Sequence, residues 1–258
     1  MYRMDRRGFL KLAGVTLLGF VPVVEAYPKG FESEKREKHV IYTFDDIPFE
    51  MERTKRLSGI LKEGGCRGQF YFTGDAIRVF PDSVDYLISE GFDVGWHSMH
   101  HGVMSKKGDK QFLYDVAEWK RTLKDVCPPY SPKLARFPGG RGTGKQIKLL
   151  EKEDLHIQPR GAGGISTYNW DIDSRDWSQS QCMPYNAIAA NIERVNADSV
   201  VVLFHLRLGN LFSCRRSDSR QVRLKESYLL RDLEGFEAFI KKASHASYKS
   251  DGYNGLHG

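Results

Sequence analysis

The sequence predicts an α/β fold, a distorted (β/α) barrel of about seven parallel strands with outer helices, and three observations carry that expectation. Short apolar runs rich in Val, Ile, Phe and Tyr recur from about His39 onward. They alternate with longer stretches of helical period, as repeated strand-helix units do. Such alternation favours a mainly parallel sheet.

The strands are expected at His39 to Phe44, Gly68 to Phe72, Phe92 to Trp96, Leu134 to Phe137, Leu155 to Gln158, Ile165 to Asp171 and Ser199 to Phe204. Between the first two, Met51, Leu57, Ile60 and Leu61 form a helical stripe. Val84, Leu87 and Ile88 form the next, opened by Pro81 in its first turn. After the last strand, Leu229, Leu233, Phe236 and Ile240 recur every three or four residues, the apolar face of an amphipathic helix. The tail from Ser244 is rich in Gly, Ser and Tyr and is expected to fray. There is no internal repeat or low-complexity segment.

With 258 residues, 40% hydrophobic and 28% charged, the chain can bury one sizeable core, and one domain over residues 27–258 is the default. The first 26 residues have another character. Arg3, Arg6, Arg7 and Lys11 precede an apolar run from Leu12 to Val24 and the small-residue pattern Val24-Glu25-Ala26, the layout of a secretory signal peptide. The run holds Pro22 and falls short of the roughly 20 apolar residues of a membrane span, so no stable span is expected. Arg6-Arg7-Gly8-Phe9-Leu10-Lys11 resembles a twin-arginine export signal, with Asp5 where Ser or Thr is usual. Both readings make the export machinery a partner and place the protein in the periplasm, the cell wall or outside the cell.

Removing the leader takes away four basic and two acidic residues and leaves 35 against 31, a net charge of +4. This mild excess, with no recognisable reading module, argues against nucleic acid as a partner. The densest basic stretch, Arg215, Arg216, Arg220, Arg223 and Lys225, is broken by Asp218 and reads as a solvated loop. The four cysteines, Cys66, Cys127, Cys182 and Cys214, form no Cys-x-x-Cys pair, and three pairings are open to them.

In parallel strand-helix folds the working residues gather at the C-terminal strand ends, and four of these ends are polar here. The first run ends Asp45-Asp46, where a turning backbone can bring both carboxylates to one cavity, although a simple turn before Ile47-Pro48 would use them as well. The third is followed by His97 and His101. One helical turn would put both imidazoles on one side, a pairing suited to a zinc-type ion with Asp46 as third ligand; a surface histidine cluster is the plainer alternative. Arg136, before Pro138-Gly139-Gly140, could hold a carboxylate by two hydrogen bonds or make a surface ion pair. Asp171, Asp173, Asp176 and Trp177 then precede His205, which an aspartate could orient as a general acid.

Five stretches in this order resemble the polysaccharide deacetylase family, carbohydrate esterase family 4, from about His39 to Ala243. They are Thr43-Phe44-Asp45-Asp46, His97-Ser98-x-x-His101, Arg136-x-Pro138-x-Gly140, Asp173-x-x-Asp176-Trp177 and Leu203-x-His205. The resemblance implies that Asp46, His97 and His101 hold one divalent metal ion, Zn2+ first, with Co2+, Ni2+ or Mn2+ also suited. It implies Asp45 as general base held by Arg136, and His205 as general acid oriented by Asp176. It places Trp177 and Leu203 as an apolar wall at the acetyl group. An N-acetylated polysaccharide would be the substrate, and acetate the product. Two positions depart from the family: Ile47 stands where glycine is usual, and Gly139 where tyrosine is usual. Gly139 keeps the backbone N–H that would stabilise the oxyanion, an effect worth roughly 3 kcal/mol, and loses the aromatic wall. Hydrolysis of acetyl esters or small amides, and a carbohydrate-binding protein without catalysis, are the alternatives. Mere binding would not require the base and acid that this chain retains.

Overall fold

The computed structural model describes residues 38–46, 50–66, 68–178, 181–206, 227–244 and 248–249. The signal-peptide segment, Ile47, the basic stretch from Arg215 to Lys225 and Cys214 lie outside these residues. Strands and helices alternate: β1 (Lys38–Asp46), α1 (Met51–Glu63), β2 (Gly68–Phe72), α2 (Gly74–Val79), α3 (Pro81–Ser89), β3 (Asp93–Trp96), α4 (Asp109–Val126), β4 (Leu134–Ala135), α5 (Gly144–Lys152), β5 (His156–Ile157), β6 (Ile172–Asp173), α6 (Tyr185–Arg194), β7 (Ser199–Phe204), α7 (Ser227–Ser244) and β8 (Tyr248–Lys249).

The strand order is β5-β4-β3-β2-β1-β7-β6, and every neighbouring pair is parallel. These seven parallel strands form a curled half-barrel covered by helices, as the sequence predicts. Because all seven run the same way, their C-terminal ends share one rim, and the polar residues that end them are brought together.

Aromatic side chains fix the centre of the sheet. Phe44 on β1 stands opposite Phe70 on β2 and Phe204 on β7, with ring centroids 5.0 and 5.9 Å away. Phe236 of α7 closes edge-on over Phe44 at 5.8 Å and Phe204 at 5.4 Å. Burying such rings contributes about 1.5–3 kcal/mol each, and so holds β1 and β7, which carry residues that line the cavity.

The α4 helix anchors the other half of the rim. Trp119 is fully buried and donates its indole N–H to the Phe72 carbonyl at 2.8 Å, while Asp115 accepts the Met99 N–H at 3.0 Å and pairs with Lys107 at 2.7 Å. The loop after β3 is thereby tied to a helix. A Cβ on Gly95 would lie 2.8 Å from the Leu134 carbonyl oxygen, so only glycine lets β3 and β4 close at that point.

Several boundaries differ from expectation. The sixth strand is Ile172–Asp173, one step beyond the run Ile165 to Asp171. Ile165 is 61% exposed, and Asp171 closes the loop by accepting N–H bonds from Gly161, Ala162 and Val201. An apolar run followed by a capping aspartate therefore reads as a strand while being a loop. β4 and β5 pair over two residues each, shorter than their apolar runs. The tail expected to fray contributes β8, which pairs with β1. Cys66 and Cys127 are buried, and Cys182 is disulfide-bonded. Among the described residues no helix is long and apolar enough to cross a membrane.

Candidate active site

Consecutive residues on a strand point to opposite faces, so Asp45 and Asp46 can share a cavity only if the chain turns. It does so at Asp46, whose φ of +83° is left-handed. Such a backbone costs about 1–3 kcal/mol and persists where the surroundings over-determine it. Here the Asp46 carbonyl accepts the Thr73 N–H at 3.1 Å.

The histidines meet the aspartates by a different route from the helical turn that their spacing suggested. Residues 97–103 are irregular, with Ser98 at φ +65° and His101 at φ +52°. These two left-handed residues fold the loop back, and the rings end with centroids 5.3 Å apart. His97 Nδ1 lies 2.9 Å from the Arg136 carbonyl, which fixes Nδ1 as the donor and leaves the Nε2 lone pair facing Asp46. Asp46 Oδ1 lies 3.4 Å from His97 Nε2 and 3.0 Å from His101 Nε2.

One ligand atom from each of Asp46, His97 and His101 falls within 4.8 Å of the others. Two imidazole nitrogens and a carboxylate oxygen are the donor set of a zinc-type ion with a position left for water, so these residues fit a divalent metal. Burial pushes the Asp46 carboxyl up, but hydrogen bonds to His101 and His97 outweigh it and hold the group well below the usual carboxylate range. The carboxylate stays ionised at any working pH.

Asp45 is held on one side only. Its Oδ1 accepts from Arg136 Nη1 at 2.8 Å, while Oδ2 lies 3.7 Å from His97 Nε2 and faces the cavity. Arg136 is fully buried. Nη1 also donates to Thr43 Oγ1 at 2.7 Å, Nε to Asn169 Oδ1 at 3.0 Å and Nη2 to the Asn169 carbonyl at 3.3 Å. Its guanidinium lies 4.3 Å from the Tyr71 ring centroid. A buried charge survives when its donors are matched, and here four of the five N–H groups are, fixing one oxygen of Asp45 and sparing the other.

Across the cavity, His205 Nδ1 lies 3.0 Å from Asp176 Oδ1. Asp176 also accepts the backbone N–H groups of His205 and Leu206, each at 2.8 Å. Burial disfavours the imidazolium, but the Asp176 carboxylate, helped by Asp45 and Asp46, more than reverses this and raises the His205 pKa above its ordinary 6.5. For Asp176, burial raises the pKa, and the His205 pairing together with the backbone N–H groups of His205 and Leu206 lowers it by more.

Residues 32–157 match the family model described as polysaccharide deacetylase. A peptidoglycan-N-acetylglucosamine deacetylase of Bacillus cereus is 32% identical over 158 residues, 61% of this chain and 54% of that protein. The chain spans about half the length of the first curated relatives it matches. Two solved structures share the fold at low identity. A peptidoglycan N-acetylglucosamine deacetylase is 20% identical with a TM-score of 0.63, covering 84% of this chain and 86% of the other. A family 4 pseudoenzyme from Bacillus anthracis is 15% identical with a TM-score of 0.61, covering 84% and 64%.

The strand ends of the rim gather these groups around a cavity of about 440 Å³. Asp45, Asp46, His97, His101 and His205 line it together with Gly139, Trp177 and Leu203, while Arg136 and Asp176 stand behind, hydrogen-bonded to Asp45 and His205. Leu203 is 3% exposed and forms a fixed wall, whereas Trp177 is 43% exposed and forms an outer one. Gly139 has φ +56°, a left-handed position that glycine takes without strain.

Four site features escaped the sequence. Asn169 clamps Arg136 through both side chain and carbonyl, Tyr71 stacks on the guanidinium, and Tyr168 and Trp170 line the cavity. A fully buried Asn inside an apolar run is itself a signal, since such a group needs a designed partner.

Removing the Asp176 charge while keeping its shape, by Asp176→Asn, returns His205 toward lower pKa. If His205 works as an acid, the alkaline limb of the kcat/KM profile moves to lower pH, and a pH series of initial rates reads that shift. The stability that His205 gains from the pair is fully present below its unfolded pKa and lost as pH rises through the folded one. Thermal unfolding followed over the same series therefore loses its alkaline drop in the variant.

Proposed function

We propose that the protein hydrolyses the N-acetyl groups of amino sugars in a polysaccharide, with one divalent metal ion, and releases acetate. One observation carries the reading: a donor set for a metal, a carboxylate with one free oxygen and a carboxylate-backed histidine all face one cavity. The match of residues 32–157 to the deacetylase family supports it. So does the B. cereus relative, which acts on peptidoglycan N-acetylglucosamine.

Asp46, His97 and His101 would hold the ion, Zn2+ first and Co2+, Ni2+ or Mn2+ as alternatives. When bound, the ion polarises the acetyl carbonyl and acidifies a water. The chain does the rest. Asp45 takes the water's proton on Oδ2, because Oδ1 is engaged by Arg136. The Gly139 N–H is offered to the developing oxyanion. His205, protonated at Nε2, gives its proton to the departing sugar nitrogen, and Asp176 keeps Nδ1 in the donor state. Leu203 and Trp177 enclose the acetyl methyl and exclude bulk water. General acid and base steps contribute about 10²–10⁴-fold each.

The leader supports export of the chain, through a twin-arginine route, to the wall polymer on which such an enzyme acts. The test is acetate release from N-acetylglucosamine oligomers, peptidoglycan and acetylated xylan, with and without a chelator. Release from the amide substrates, lost with chelator and restored by Zn2+, is expected. Release from acetylated xylan alone would replace the amide reading by an ester one, and metal-loaded protein that binds glycan without acetate release would place this chain with the pseudoenzymes.

A further inference from the structure

A second cavity, of about 600 Å³, adjoins the catalytic one and shares Tyr168, Trp170 and Asp173 with it. Its distinguishing feature is charge: Arg160, Arg175 and Arg194 all line it. None of the three guanidiniums has an ion-pair partner among the described residues, and Arg160 Nε is buried without a hydrogen-bond partner. Three unmatched guanidiniums around one hollow repel each other and await an anion.

The two aspartates in the same wall do not fill that role. Asp171 spends both oxygens on the N–H groups of Gly161, Ala162 and Val201, and Asp173 Oδ1 accepts the Arg175 backbone N–H at 2.8 Å. Between the cavities stand Tyr168 and Trp170, edge to face with centroids 5.5 Å apart. Tyr168 is 51% exposed, and its ring lies over Gly140, where a Cβ would approach it to 2.5 Å. An exposed aromatic ridge between two hollows suits a sugar face lying across it.

We infer that this arginine-lined cavity is a binding subsite for a carboxylate carried by the sugar residue next to the one being deacetylated, so that the substrate is an anionic glycan. The inference rests on the glycan-deacetylase reading for the sugar in the catalytic cavity. Guanidinium pairs a planar carboxylate through two hydrogen bonds, which a neutral hydroxyl cannot reproduce.

The test reads binding rather than turnover, in the full chain carrying Asp45→Asn. Three probes are compared by calorimetry: a tetrasaccharide of alternating N-acetylglucosamine and N-acetylmuramic acid, the same oligomer with its carboxyl groups reduced, and the N-acetylglucosamine tetramer. The carboxylated oligomer is expected to bind roughly tenfold tighter than its reduced form. Adding Arg175→Gln and Arg194→Gln, both at exposed positions, erases that difference and leaves the neutral tetramer unchanged. A fourth probe carries a stem peptide amide-linked to the muramic carboxyl, so that the sugar carboxylate is gone; a gain confined to this probe overturns the inference. Equal affinity for carboxylated and reduced oligomers overturns the inference, as does a variant that weakens the neutral tetramer equally. Charge-selective binding in a protein whose wild type releases no acetate would sink the catalytic reading and leave the subsite standing.

Discussion

Asp45→Asn is expected to lower the rate of acetate release by about 10²–10⁴-fold while leaving metal content near one ion per chain. The amide is isosteric with the carboxylate, and its oxygen can still accept from Arg136 Nη1, now 2.8 Å from Asp45 Oδ1. What disappears is a basic oxygen at the position of Oδ2, 3.7 Å from His97 Nε2. The ligand atoms of Asp46, His97 and His101 are untouched. His97→Ala makes the contrast, because it removes one of the three proposed ligands and should lose both metal and activity. Metal analysis and acetate release on the two variants separate a base from a ligand. Near-normal turnover in the Asn variant would show that the proton goes elsewhere, and loss of metal from it would make Asp45 part of the cage.

How far the sequence foretold this site depends on what each residue's neighbours could reveal. Asp45-Asp46 was legible because a strand end is marked by its apolar run and a paired carboxylate there is unusual. The left-handed φ at Asp46 that makes the pair work leaves no trace in composition, since aspartate takes that conformation without glycine's help. His97 and His101 were found by spacing and explained by the wrong geometry. A four-residue interval is satisfied equally by a helical turn and by a loop with two left-handed residues, and the loop is selected by tethers, from Met99 to Asp115 on α4 and from Gly74 and Asp75 to the Ser98 and Met99 carbonyls. The sheet order was legible in outline, because alternation dictates parallel strands. The sixth strand was misplaced because tertiary capping by Asp171 turned an apolar run into a loop. Asn169 was invisible because its function is to satisfy Arg136, a partner 33 residues away.

Arg136→Met should cost about 3–5 kcal/mol of stability, the penalty of leaving a buried carboxylate without its counter-charge. For a domain of this size that is a fall of roughly 6–20 °C in Tm. The loss has two parts that can be separated. One is the stranded charge on Asp45, which is 3% exposed. The other is the set of hydrogen bonds to Thr43 and Asn169 and the packing on Tyr71. Combining Arg136→Met with Asp45→Asn removes the first part and keeps the second, so the double variant should be more stable than Arg136→Met alone, by about 1–3 kcal/mol of coupling. Its activity should stay as low as that of Asp45→Asn. The Arg136 main-chain oxygen that orients His97 survives both substitutions, so metal binding should persist throughout. Denaturant unfolding of the four proteins completes the cycle. Additive losses would mean that the guanidinium packs beside Asp45 without stabilising its charge, and the positioning role assigned to Arg136 would fall.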